Sequence, residues 1–147
     1  MTIKPKALVI SISVDTGCYR HIKISDQATL EDLSDEILDA FDFENDHAHA
    51  FFMDNRAWSH ADGYFMAMEY DEDENRFTCD YTLRKAGLKL EKKFLYIFDF
   101  GDEWRFACRV LKELDELVDE PHVIHSKGEP PMQYEQLDDW DEDDDDA

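Results

Sequence analysis

The sequence predicts an α+β domain, and three observations carry that reading. Apolar residues alternate with a period of two near the start, recur at helical spacing between Leu30 and Phe41, and alternate again through Phe94–Phe100 and Trp104–Leu111. A β-hairpin followed by an amphipathic helix on a mixed sheet, completed by a late antiparallel hairpin, satisfies all three. By analogy alone, a hairpin that leads into a helix is ubiquitin-grasp-like.

The first strand shows Leu8, Ile10, Ile12 and Val14 on one side, against Val9, Ser11 and Ser13 on the other. Asp15-Thr16-Gly17 is a turn signal with a glycine able to take positive φ. Alternation then resumes from Cys18 to Ile24, with Arg20, Ile22 and Ile24 sharing a face. Thr29 followed by Asp32 is an aspartate form of the capping box. Leu30, Leu33, Ile37, Leu38 and Phe41 make the helix's apolar face, and Glu31, Asp32, Asp35, Glu36 and Asp39 its polar one. Acids in the first turn suit the helix dipole, whereas those in the last turns oppose it, so packing must hold this helix.

His47 to Met53 reads as a third strand with His47, His49, Phe51 and Met53 facing one way. Residues 54–79 form an irregular connection with apolar anchors and an acidic loop at Glu69–Glu74. Asp80 to Ala86 suggests a short helix stopped by Gly87. In the late hairpin, Phe94, Tyr96, Phe98 and Phe100 are expected on one face, as are Trp104, Phe106, Cys108 and Val110. Gly101-Asp102 supplies the turn. The expected organisation is one α+β domain over residues 1–120, a polar extension over 121–137 and a disordered acidic tail over 138–147.

The net charge is −22, from 37 Asp+Glu against 15 Lys+Arg. The tail holds only part of this excess, so the body is acidic in its own right. Such a field repels nucleic acid and anionic membrane, which argues against direct nucleic-acid binding. It serves solubility, or it suits a partner with a basic surface. Three scattered cysteines, Cys18, Cys79 and Cys108, form no C-x-x-C pair and read as free thiols of a reducing cytoplasm. No signal peptide or membrane-spanning run is evident.

Three segments together carry a family resemblance: Tyr19-Arg20-His21-Ile22 with Thr29-Leu30-Glu31-Asp32-Leu33, then His47-Ala48-His49-Ala50-Phe51, then Phe94-Leu95-Tyr96-Ile97-Phe98-Asp99-Phe100-Gly101-Asp102-Glu103-Trp104. In order and spacing they resemble the Ri-plasmid "third open reading frame"-like family, whose members are also described as insertion-element passenger proteins of TnpR type. The resemblance implies a compact α+β domain, a mobile-element context and no established activity. Members continue with a Pro-Pro-Glu-Asp element, where this chain has Pro130-Pro131-Met132-Gln133.

Candidate chemistry centres on Asp99, Asp102, Glu103 and Trp104. Carboxylates at a turn can share a proton or hold a metal, or serve the turn itself. Trp104 is a ligand platform or a core anchor. His47 and His49, two apart on a strand, place both rings on one face, and His125 is the weak third candidate for a metal such as zinc or iron. Asp71–Asn75 starts like a calcium loop but has Arg76 at its glycine position and Thr82 at its bidentate one, which excludes it. Arg84, Lys85, Lys89, Lys92 and Lys93 form a basic segment that can meet phosphates, receive the acidic tail or remain solvated.

No G-x-S-x-G, phosphate loop, dinucleotide fingerprint or H-E-x-x-H motif occurs, so no cofactor is expected. The expected function is a non-catalytic protein-interaction module. The alternatives are a regulator or charge mimic in mobile-element DNA transactions, and a metal-dependent enzyme with a His/Asp site.

Overall fold

The computed structural model describes residues 4–15, 17–59, 61–67 and 76–133. The acidic loop at 69–74, positions 71–75 of the calcium-like stretch and the acidic tail lie outside them. In chain order the elements are β1 (Ala7–Ser13), β2 (Tyr19–Ser25), α1 (Leu30–Ala40), β3 (His49–Phe52), β4 (Gly63–Phe65), a 3-10 turn (Thr78–Asp80), β5 (Lys93–Phe98), β6 (Trp104–Leu114) and β7 (His122–Lys127). The strands join in one sheet of order β4-β3-β5-β6-β1-β2-β7. Among the described residues no helix is long and apolar enough to cross a membrane.

All ladders between these strands are antiparallel. The sheet is therefore not mixed, and the grasp analogy reaches no further than a hairpin followed by a helix. The late hairpin β5–β6 sits in the middle of the sheet. Residues 122–127, expected within a polar extension, pair with β2 as the edge strand β7. Their polarity fits that place, because an edge strand that touches the core only through Val123 carries no alternating apolar face. The expected helix over 80–86 is a single turn, closed by Gly87 at φ +92°. After β7, Gly128 (φ +84°) crosses the β1–β2 turn, where a Cβ would sit 2.3 Å from the Gly17 carbonyl oxygen.

α1 begins as its sequence predicts. The Thr29 side chain accepts the Asp32 N–H at 3.1 Å, and the Asp32 carboxylate accepts the Thr29 N–H at 3.0 Å. Its apolar face covers one side of the sheet, where Leu8, Ile10, Ile12, Ile22, Ile24, Phe51, Phe94, Tyr96, Phe98 and Phe106 are buried with Leu33, Ile37 and Phe41. No basic residue occupies the last helical turn. Arg20 compensates from below: buried, it donates from Nε to the Ala40 carbonyl at 3.1 Å and lies over the Phe41 ring. A cation there offsets the negative end of the helix dipole.

Among the described residues the second sheet face is covered chiefly at its β4-β3-β5 end. Ala50, Phe52 and Ile97 are buried there under Trp58, Phe65 and Phe100. Phe100 thus leaves the face of Phe94, Tyr96 and Phe98. Asp99 takes φ +66°, and this left-handed step turns the next side chain to the opposite side. Over β6-β1-β2-β7 the described residues leave much of that second face open, with Arg105, Arg109 and His125 exposed and Tyr19, His21, Ser11 and Ser13 half-buried, while Ala7 and Val9 at the start of β1 are buried.

Candidate functional site

The turn between β5 and β6 runs from Asp99 to Glu103, and its left-handed positions are these two residues rather than Gly101. Asp99 organises it. Its Oδ1 accepts the N–H groups of Gly101 at 3.2 Å and Asp102 at 3.3 Å, while its own N–H donates to the Ala48 carbonyl at 2.8 Å. Asp99 is buried, and these bonds offset the desolvation of its side chain. Oδ2 lies 3.5 Å from His47 Nε2, and Asp46 approaches the same nitrogen at 3.7 Å.

Glu103 accepts from Arg105 at 2.7 Å. The Arg105 guanidinium first, then Trp58, holds its carboxyl below the ordinary range. Asp102 is exposed. Trp104 packs edge-on to Phe43 at 5.0 Å, with its indole Nε1 buried and unpartnered among the described residues. Asp99 and Glu103 therefore brace the hairpin, and Trp104 packs against the core.

A measurable consequence concerns Asp99. Asp99→Ala is expected to cost about 2–3 kcal/mol, from two orphaned N–H groups and an alanine held at positive φ. Asp99→Asn keeps an acceptor and tolerates that φ, so its cost should be about 1 kcal/mol. Urea unfolding at neutral pH separates the two; equal losses would mean that the side-chain acceptor does not hold the turn.

The three histidines chosen from spacing do not converge. His47 precedes β3 and is exposed. His49 points into the core, its Nε2 2.8 Å from Thr78 Oγ1, its Nδ1 without a partner among the described residues. Burial lowers its pKa to about 4. His125 lies on β7, four strands from β5. Its neighbours are Tyr19 and His21, which the sequence offered as part of the family resemblance and not as partners of His125, because only the β2–β7 pairing brings them to it. Burial first, then His125 and Lys112, lowers the pKa of His21. Among the described residues no three His, Cys, Asp or Glu side chains gather as a metal site.

Part of the basic segment is engaged within the fold. Arg84 pairs with the buried Asp26 at 2.7 Å, and Lys85 lies over the Tyr81 ring. The C-terminal stretch returns to the β3 approach, where Gln133 accepts the Glu44 N–H at 2.7 Å and donates to Asp46 at 3.3 Å.

A different feature concentrates charge. A groove of about 660 Å³ runs between α1 and the 118–121 segment, lined by Asp32, Asp35, Glu36, Asp39 and Asp119 with no lysine or arginine. Burial first, then Asp32, raises the pKa of Asp35; burial first, then Asp39, raises that of Glu36. The sequence showed these acids as the helix's polar face, without the opposing wall that makes them a groove.

A family model described as plasmid pRiA4b ORF-3-like protein matches residues 8–141. The fold is similar to the crystal structure of protein of unknown function MM3350 from Methanosarcina mazei Go1, with a TM-score of 0.60 and 24% identity over 84% of this chain and 71% of that one. No curated protein matches.

Proposed function

We propose, from the premise that this chain belongs to the plasmid pRiA4b ORF-3-like family, that it is a non-catalytic module that binds a basic segment of a protein partner. The groove carries this reading: five carboxylates face one cavity with no cation among its lining residues. Two of them already resist ionisation, through burial and a neighbouring acid. An entering lysine or arginine adds the opposite charge that offsets both effects. Each solvent-exposed pair contributes about 0.2–1 kcal/mol, so a segment that makes several contacts binds weakly and with strong salt dependence. DNA-binding proteins present such segments, so the same contact would let the module regulate a mobile-element DNA transaction by competing for a basic surface.

Titration of the ¹⁵N-labelled chain with an arginine- and lysine-rich peptide tests this. Shifts are expected around residues 25–39 and 118–121, fading as salt rises. The triple variant Asp35→Asn/Glu36→Gln/Asp39→Asn should bind about fivefold or more weakly, since each lost pair is worth a few tenths of a kcal/mol. It should be no less stable, because it also loses like-charge repulsion. Undiminished binding by the triple variant, or shifts confined to the acidic tail, would defeat the proposal.

A further inference from the structure

The open sheet face carries a cluster that the groove reading does not use. His21 of β2 and His125 of β7 are directly opposite in the ladder, and their ring centroids lie 5.1 Å apart. Tyr19, two residues before His21 on the same face, stacks on His21 at 5.1 Å. Its hydroxyl lies 3.3 Å from His125 Nε2. His125 is exposed and His21 and Tyr19 half-buried, so an ion reaches all three from solvent.

We propose that His21 and His125 chelate a divalent transition-metal ion, with the Tyr19 hydroxyl as a third contact. The spacing supports this. A metal–imidazole bond of about 2.0–2.1 Å puts each ring centroid about 3.2 Å from the ion, so two such rings at a tetrahedral angle stand about 5.2 Å apart. The observed 5.1 Å matches a tetrahedral ion and exceeds the about 4.5 Å of a 90° tetragonal pair by about half an ångström, a gap that side-chain rotation closes. Cross-strand pairing fixes both Cα positions, which reduces the ordering that binding demands. Two imidazoles without a carboxylate select against calcium and magnesium, and the order of divalent affinities makes Cu²⁺ the tightest ligand, ahead of Ni²⁺ and Zn²⁺. Lys112 stands close enough to act on His21 electrostatically and opposes the ion's charge, which keeps the affinity moderate.

The test uses the full chain without a histidine tag, titrated with Cu²⁺ in excess Mg²⁺ so that carboxylates are occupied. Calorimetry and electron paramagnetic resonance should give one equivalent with hyperfine splitting from two nitrogens. His21→Gln and His125→Gln should each weaken binding by about tenfold or more. Both should keep the parent's urea midpoint without metal, because neither ring belongs to the core. His47→Gln should bind as the parent does. A two-nitrogen signal that survives the His21→Gln/His125→Gln double variant, or copper bound through oxygens alone, overturns the site.

Discussion

Tyr96→Ala is expected to destabilise the fold by about 4 kcal/mol or more, a large part of the 5–15 kcal/mol that holds a typical domain. Tyr96 is fully buried on β5, beside the central strand β6. Its ring stands 4.8 Å from Phe51 and 5.4 Å from Phe106, so truncation opens a cavity between strands on both sides. Its hydroxyl meets the buried Ser34 hydroxyl of α1 at 2.6 Å. Burial drives its phenol pKa far up, so it stays a neutral hydroxyl.

The two contributions separate in a double-mutant cycle. Tyr96→Phe keeps the ring and strands the Ser34 hydroxyl, at a cost of about 1–2 kcal/mol. Adding Ser34→Ala should recover part of that loss, because neither partner is then buried unpaired. Urea unfolding gives each value, and the alanine variant should lower the midpoint by about 2 M for ordinary m-values. If Tyr96→Ala costs under about 2 kcal/mol, the site collapses around the loss and Tyr96 is not a keystone of the core.

What the sequence revealed of this arrangement follows from the range of each interaction. The β1–β2 hairpin, the capped helix and the β5–β6 hairpin are local, and periodicity with cap chemistry exposes them. β4 and β7 are short or polar edge strands whose identity lies in their partners, so composition made one a connection and the other an extension. Phe100 was misplaced because strict alternation takes no account of a left-handed residue, here Asp99. The histidines show the same limit. Spacing joined His47 to His49, yet the strand starts only at His49, which burial and Thr78 engage. His125 belongs with His21, more than a hundred residues earlier, through a pairing that no local pattern displays.

His49 makes the second large prediction, a loss of stability on mild acidification. Its folded-state pKa is about 4, against an ordinary value of 6.5, and burial is the cause. The unpartnered Nδ1 is best left as a lone pair, so Nε2–H donates to Thr78 Oγ1 in the neutral ring. The unfolded chain binds a proton on this residue below pH 6.5, whereas the folded chain resists until about pH 4. Unfolding therefore takes up a proton within that window, and stability rises with pH across it. The contribution is full above pH 6.5 and falls away as pH drops towards 4, a loss of about 3 kcal/mol by linkage. Asp35 and Glu36 act oppositely, since their raised pKa values favour the folded state as pH falls. The net curve of the parent thus mixes signs, and the comparison with His49→Gln isolates the histidine, because glutamine can keep the Thr78 bond without titrating. Between neutral pH and about pH 4.5 the parent should lose about 2–3 kcal/mol more than the variant by urea unfolding. Parallel curves for the two proteins would mean that His49 is hydrated, or free to leave its pocket, in the folded state.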